Sequence, residues 1–272
     1  MPRSVFPAAL LMTFSGTALA QTATVPDGQW RGAFGAGLSA ATGNTESVTY
    51  TINGDLVRQR PWDKFSGYLQ AVYGRRNVDD RTERSADQQR GGILYNRDYT
   101  EHRFVFGALD LERDKLINLN LRSVVATGLG YHVIKRPDLT FDISTGPAYN
   151  REHYSTETRE GVEWLLAEES THAFSPMVSF RQRLALYPSL KESGEYRAVF
   201  DAGLVFKVAH RWNATVTLNN RYQSNPLPGV KQNDLLLVTG IQYVFNPVPQ
   251  QEPPPPVTVP APATTPWDTP LR

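Results

Sequence analysis

Residues 196–208 read YRAVFDAGLVFKV. Alternate positions Tyr196, Ala198, Phe200, Ala202, Leu204, Phe206 and Val208 are apolar, while Arg197, Asp201, Gly203 and Lys207 fall between them. A side-chain period of two is that of a β-strand with one apolar and one polar face. The next segment repeats it, with Trp212, Ala214, Val216, Leu218 and Tyr222 on one face and Asn213, Thr215, Thr217, Asn219 and Arg221 on the other. The same alternation marks Val48, Tyr50, Ile52 and Leu56, and again Leu139, Phe141 and Ile143. No segment after residue 20 shows a helical period.

Working outward from this stretch, about twelve strands are predicted: 29–40, 46–58, 64–76, 87–97, 102–112, 120–134, 139–151, 163–173, 177–187, 195–208, 211–223 and 233–246. The eighth depends on a turn at Phe174-Ser175-Pro176, and the fifth alternates poorly, as a strand carrying a bulge does. Connections alternate in length. Those at Arg60-Pro61-Trp62-Asp63, Tyr99-Thr100-Glu101, Lys135-Arg136-Pro137-Asp138, Phe174-Ser175-Pro176 and Ala209-His210 are short. Between them lie polar stretches read as longer loops: Asn77 to Ala86, Arg113 to Asn118, Tyr154 to Val162, Lys191 to Glu195 and Gln223 to Gln232. Only the first hairpin, at Thr42-Gly43-Asn44, is short on the long-loop side. Short turns on one side and long loops on the other are the habit of outer-membrane barrels, and the alternation puts both chain ends on the short-turn, periplasmic side.

The start of the chain agrees. Arg3, an apolar run from Val5 to Phe14 and Ala18-Leu19-Ala20 form a secretory signal, expected to span residues 1–20. Its removal takes one cation from the 28 Lys and Arg, leaving them level with the 27 Asp and Glu; a neutral chain is no nucleic-acid binder. With Cys 0, an exported chain has no disulfide framework to lean on. After the signal no apolar run approaches the roughly 20 residues of a membrane helix, whereas barrel strands are short and half apolar. The expected fold is therefore all-β, an antiparallel up-and-down transmembrane barrel over residues 21–246. A soluble lipocalin-like barrel, which would turn its apolar face inward, is the alternative.

Aromatic residues such as Trp30, Trp62, Phe65, Tyr73, Tyr149, Trp164, Trp212 and Tyr222 cluster near strand ends, as membrane-interface girdles require. The last strand, TGIQYVF at 239–245, places Gly240 before Tyr243 and Phe245 in the manner of the signal that hands outer-membrane proteins to the barrel-assembly machinery. Here a tail, 247–272, follows it, with Pro253 to Pro256 in a row. Such a segment cannot pair in a sheet; it reads either as an inert spacer or as a tether to a periplasmic partner.

Several motifs, in order, resemble the family of salt-induced outer-membrane proteins, the domain of unknown function 481 family. They are Gly37-Leu38-Ser39 with Thr42-Gly43-Asn44-Thr45, Asp87-Gln88-Gln89-Arg90 leading to Tyr95, Gly128-Leu129-Gly130-Tyr131-His132, Tyr187-Pro188-Ser189-Leu190, and Tyr222 to Pro226 before Asp234. The resemblance runs from Arg31 to Phe245 and implies a membrane-associated β-barrel. It supplies no catalytic residues and no cofactor.

Function has to come from the polar face. On this strand phase the lumen is lined by Arg31, Asp55, Arg76, Arg90, Arg122, His132, Asp142, Arg181, Arg183, Arg197, Asp201, Lys207 and Arg221, with cations in excess. Two readings stay open: paired charges filling a narrow barrel, or a water-filled pore whose arginines favour anions. The expected role is non-enzymatic, a narrow pore for small solutes or an envelope-integrity component, in contact with outer-membrane lipid and lipopolysaccharide. The alternative is an outer-membrane hydrolase, for which the nearest features are Ser170-Thr171-His172, Asp79-Asp80 and Glu152-His153. No spacing suggests a metal site.

Overall fold

A computed structural model describes residues 25–41, 46–78 and 81–248. The predicted signal at 1–20, the tail from 249 onward, the Thr42-Gly43-Asn44 hairpin and Asp79-Asp80 lie outside the described residues.

Twelve strands close into one barrel: β1 (Trp30–Ala41), β2 (Glu46–Gln59), β3 (Asp63–Val78), β4 (Arg81–Asp98), β5 (Arg103–Asp114), β6 (Leu119–Lys135), β7 (Leu139–Tyr154), β8 (Thr158–Ser175), β9 (Val178–Pro188), β10 (Tyr196–Ala209), β11 (Trp212–Gln223) and β12 (Asn233–Phe245). Every strand pairs antiparallel with its chain neighbours, and β12 returns to β1 in the register Gly32↔Phe245 to Gly37↔Gly240. Closure leaves no sheet edge, so the backbone groups of the wall are satisfied internally, as lipid demands. At the seam Gly32 is required: a Cβ there would run into the Phe245 ring.

The outer surface is apolar. Phe34, Leu69 and Ile241 are 60%, 71% and 59% exposed and belong to a band that continues around the barrel through Ile52, Ile93, Val125, Leu129 and Leu237. An apolar surface of that extent is a lipid surface, not a water surface. Aromatics mark its margins, with Trp30 edge-on to Phe65 at 5.7 Å, Trp212 edge-on to Tyr243 at 5.2 Å and Tyr196 stacked on Tyr222 at 5.3 Å.

Two stretches read as loops are strand. β3 and β4 continue as a hairpin to Val78 and Arg81, and β7 and β8 continue to Tyr154 and Thr158. Cross-strand bonds hold these extensions: Arg76 to Glu83 at 2.9 Å, Thr82 to Asn77 at 2.9 Å, and the Tyr149 hydroxyl to Glu160 at 2.9 Å. Both faces are polar there, which removes the period a strand is recognised by. The expected contrast in loop length thus shrinks mainly to 189–195 and 224–232. β5 does carry an irregularity, between Glu112 and Asp114, but its poor alternation has another source. Phe104, Phe106 and Ala108 alternate with Val105, Leu109 and Leu111, so both faces are apolar.

The inward apolar side chains, which include Val57, Val72, Leu236 and Val238, are densest on one side. Phe104, Phe106, Val124, Ala126, Ala148, Leu165, Ala185 and Tyr187 form a cluster on the inner wall from β5 to β9. Small residues opposite large rings let that wall pack inside the barrel. Between Gly128 and Gly146 the backbones of β6 and β7 approach closely, since a Cβ on either would run into the facing carbonyl of Thr145 or Thr127.

Candidate functional site

The residues expected to line the lumen, Arg31, Asp55, Arg76, Arg90, Arg122, His132, Asp142, Arg181, Arg183, Arg197, Asp201, Lys207 and Arg221, occupy the strand positions whose side chains alternate with the lipid-facing ones. The structure adds acids that strand phase alone missed: Asp98, Asp110, Glu112, Glu152, Glu163 and Glu169. With them the inner acids are about level with the inner cations, and the expected cationic excess over the whole wall disappears.

Most of these charges meet. Arg122 donates to Glu112 at 2.7 Å, to Glu152 at 2.9 Å and to Gln223 at 3.3 Å. Glu152 also accepts from the Tyr154 hydroxyl at 2.9 Å and from Asn150 at 3.1 Å, and Asn150 reaches on to Glu163 at 3.2 Å. Arg197 grips Glu163 through two bonds, 2.9 and 2.6 Å, and lies 4.5 Å over the Tyr187 ring. The result is a belt of bonds from β5 to β11 near the end opposite the chain termini. Lower in the barrel Arg181 meets Glu169 at 2.8 Å, Arg221 meets Asp201 at 2.8 Å, and Gln242 donates to Asp55 at 3.1 Å. His132, near the terminal end, lies 2.7 Å from Asp142 and 3.3 Å from Asp98. At that end Arg31 holds Asp27 with two bonds, 2.7 and 2.6 Å. Those bonds, with the Gln29 N–H, keep the Asp27 carboxyl well below the usual carboxylate range.

Between these groups the lumen is a string of spaces. At the opposite end a vestibule of about 460 Å³ is lined by Asn150, Glu163, Tyr187, Arg197 and Gln223. It shares Tyr187 and Arg197 with a chamber of about 50 Å³ that also touches Arg90, Glu112, Arg122 and Arg221. Beyond lies a second chamber of about 70 Å³, lined by Asp55, Ser66, Glu169, Arg181 and Asp201. The two chambers have Tyr68, Asp110 and Arg183 in common, so these three side chains form the neck between them. There the Tyr68 hydroxyl bonds to Asp110. Several inner polar atoms are buried without a protein partner: Gln70 Nε2, Asn96 Oδ1, Asn150 Oδ1, Asn219 Oδ1 and Arg221 Nε.

The two hydrolysis features that lie among the described residues do not assemble. Ser170 lies on the outer side of β8, paired with Phe141 and Gln182, and the His172 ring packs on Phe174 and Phe180, at 5.8 and 6.3 Å. Glu152 points inward to Arg122, while its neighbour His153 turns the other way to Thr158 at 2.9 Å. Among the described residues no group of His, Asp or Glu is placed to hold a metal ion. In the last strand Gly240 packs against the Ala36 carbonyl of β1, while Tyr243 and Phe245 face outward, with the Arg211 guanidinium donating to the Tyr243 hydroxyl at 2.9 Å.

The model of a family described as a protein of unknown function, DUF481, matches residues 34–245, and the chain belongs to that family. No curated protein matches the sequence. Among solved structures, an outer membrane channel from Pseudomonas putida F1 superposes with a TM-score of 0.50 at 12% identity, over 85% of this chain and 100% of that one. The NanC porin gives 0.44 at 10% identity, over 79% and 97%. The KdgM porin in complex with disordered oligogalacturonate gives 0.41 at 10%, over 80% and 99%. The likeness is one of fold, the closed antiparallel barrel of outer-membrane proteins.

Proposed function

We propose that this DUF481 barrel is a non-enzymatic channel of the bacterial outer membrane that passes ions and small polar solutes through a narrow, charge-lined lumen. The observation that carries the reading is the line of vestibule, chamber, neck and chamber along the barrel axis, lined by charged and polar side chains. Chambers of about 50 and 70 Å³ take only a few water molecules, which restricts passage to small species unless the neck side chains move aside.

In this reading the apolar band sits in lipid and lipopolysaccharide, and the chain termini face the periplasm. The leading 20 residues serve export, and Gly240, Tyr243 and Phe245 serve recognition by the assembly machinery. The test is single-channel current from the refolded mature chain in a planar bilayer. Discrete conductance steps are expected. Silence from protein shown separately to be folded and inserted overturns the channel reading.

A further inference from the structure

An arginine carries five N–H donors in a fixed fork and remains charged at any physiological pH, so inside a barrel it needs acceptors. Arg122, Arg181, Arg197 and Arg221 each have a carboxylate at 2.6–2.9 Å. Arg183 does not. Among the described residues it has neither an ion pair nor a hydrogen bond, although it stands in the neck and faces both chambers.

The acids that could satisfy it are committed elsewhere: Glu169, across from it in the β8–β9 register, bonds to Arg181 at 2.8 Å. Asp201 sits directly across from Arg183 in the β9–β10 register, but it bonds to Arg221 and Asn219. Asp110 shares the neck, but its carboxylate takes the Tyr68 hydroxyl. The smaller chamber adjoining the neck is lined by Arg90, Arg122, Arg183, Arg197 and Arg221 against only Asp110 and Glu112. The wall as a whole is balanced, yet this one compartment is cationic.

We propose that Arg183 is an anion-binding site in the neck, holding a halide or the carboxylate of a small solute as it passes between the chambers and setting the charge preference of the lumen. The consequence for transport rests on the channel reading; the binding site does not. An anion seated there completes a guanidinium that the fold leaves open, between the two small chambers and in low dielectric, where one charge matters most.

Two measurements on the full mature chain separate the claims. In a planar bilayer under a potassium chloride gradient, the wild type is expected to favour chloride. Arg183→Gln should lower the anion-to-cation permeability ratio by roughly fivefold or more, and Arg183→Lys should retain much of it. Arg136→Gln, which removes an exposed cation in the turn between β6 and β7, outside the lumen, should leave it nearly unchanged. A wild type without anion preference, or an Arg183→Gln channel with the wild-type ratio, overturns the proposal. If the folded wild type carries no current, the channel reading falls and the site is judged by crystals grown with bromide. Anomalous density at the Arg183 guanidinium in the wild type and its loss in Arg183→Gln uphold the site; bromide found only elsewhere overturns it.

Discussion

Replacing Arg122 with Ala removes the hub of the inner belt and leaves two carboxylates behind. The side chains concerned are nearly out of solvent, at 12% exposure for Arg122, 13% for Glu112 and 3% for Glu152. An exposed pair would contribute about 0–1 kcal/mol, whereas removing one partner of a buried pair costs about 3–5 kcal/mol because the other charge stays uncompensated. Glu152 keeps the Tyr154 hydroxyl and Asn150, and Glu112 keeps Gln88 at 2.9 Å. The lower end applies, about 3 kcal/mol, or roughly a hundredfold in the folding equilibrium. The assay is urea unfolding of the barrel in phospholipid vesicles, followed by tryptophan fluorescence. The triple variant Arg122→Ala, Glu112→Gln, Glu152→Gln should recover most of the loss, since its stranded groups are neutral. A loss in Arg122→Ala below about 1 kcal/mol refutes the reasoning, for it would mean that water screens this belt as it screens a surface.

Leu69→Arg sets a charge on the lipid-facing band and should cost about 2–4 kcal/mol in the same vesicle titration; an effect within about 0.5 kcal/mol would remove Leu69 from the membrane surface. Gly146→Ala forces a Cβ toward the Thr127 carbonyl and should destabilise by about 1–3 kcal/mol or more, while Gly161→Ala, with nothing within 4 Å, should stay within about 0.5 kcal/mol. The Asp27 carboxyl is depressed in the folded state, so its stabilising contribution is present above the ordinary carboxylate value of about 3.9 and is lost as pH falls through the depressed value. The stability difference between wild type and Asp27→Asn should accordingly stay constant from neutral pH down to about pH 5 and shrink below about pH 4. Cysteines placed at Arg197 and Lys207 should react with a small water-soluble thiol reagent and one at Phe206 should not; equal labelling of all three would contradict the assignment of inner and outer faces.

The strand order and the lipid-facing side were legible because β10, β11 and β2 are amphipathic in the simplest way, with every second residue apolar. Where both faces share a polarity, periodicity is silent. The hairpin extensions beyond Arg76 and toward Glu83, and from Tyr154 through Glu160, are polar on both sides and read as loop. β5 is apolar on both sides, so Asp110 and Glu112 could not be phased, and in β8 Leu165 beside Leu166 and Glu168 beside Glu169 hide Glu163 and Glu169 in the same way. Glu152 was missed for a smaller reason, lying one position past the end predicted for its strand. A cross-strand argument could have recovered it: with Arg122 facing inward, its register partner Glu152 must face inward too.

The neck was not legible at all, because it depends on which residues meet across the barrel. Tyr68, Asp110 and Arg183 come from β3, β5 and β9, and nothing in their spacing relates them. Their meeting follows from the apolar cluster. Twelve strands can enclose a channel if only small side chains project inward, but Phe104, Phe106, Leu165 and Tyr187 occupy the β5 to β9 side of this lumen. That packing stabilises the wall by burying apolar surface where a wide pore would expose it to water. It also narrows the space left to the polar side chains, which enter from all around the wall: Arg221, Asp55 and Arg90 from β11, β2 and β4, and Asp110, Arg122, Glu169 and Arg183 from β5, β6, β8 and β9. The narrowness of the path and the near balance of its charges thus have one cause. A lumen this confined cannot leave many ions unpaired, and it has paired nearly all of its arginines, so Arg183, left open in the neck, is the position at which a passing anion meets least competition from the protein's own acids.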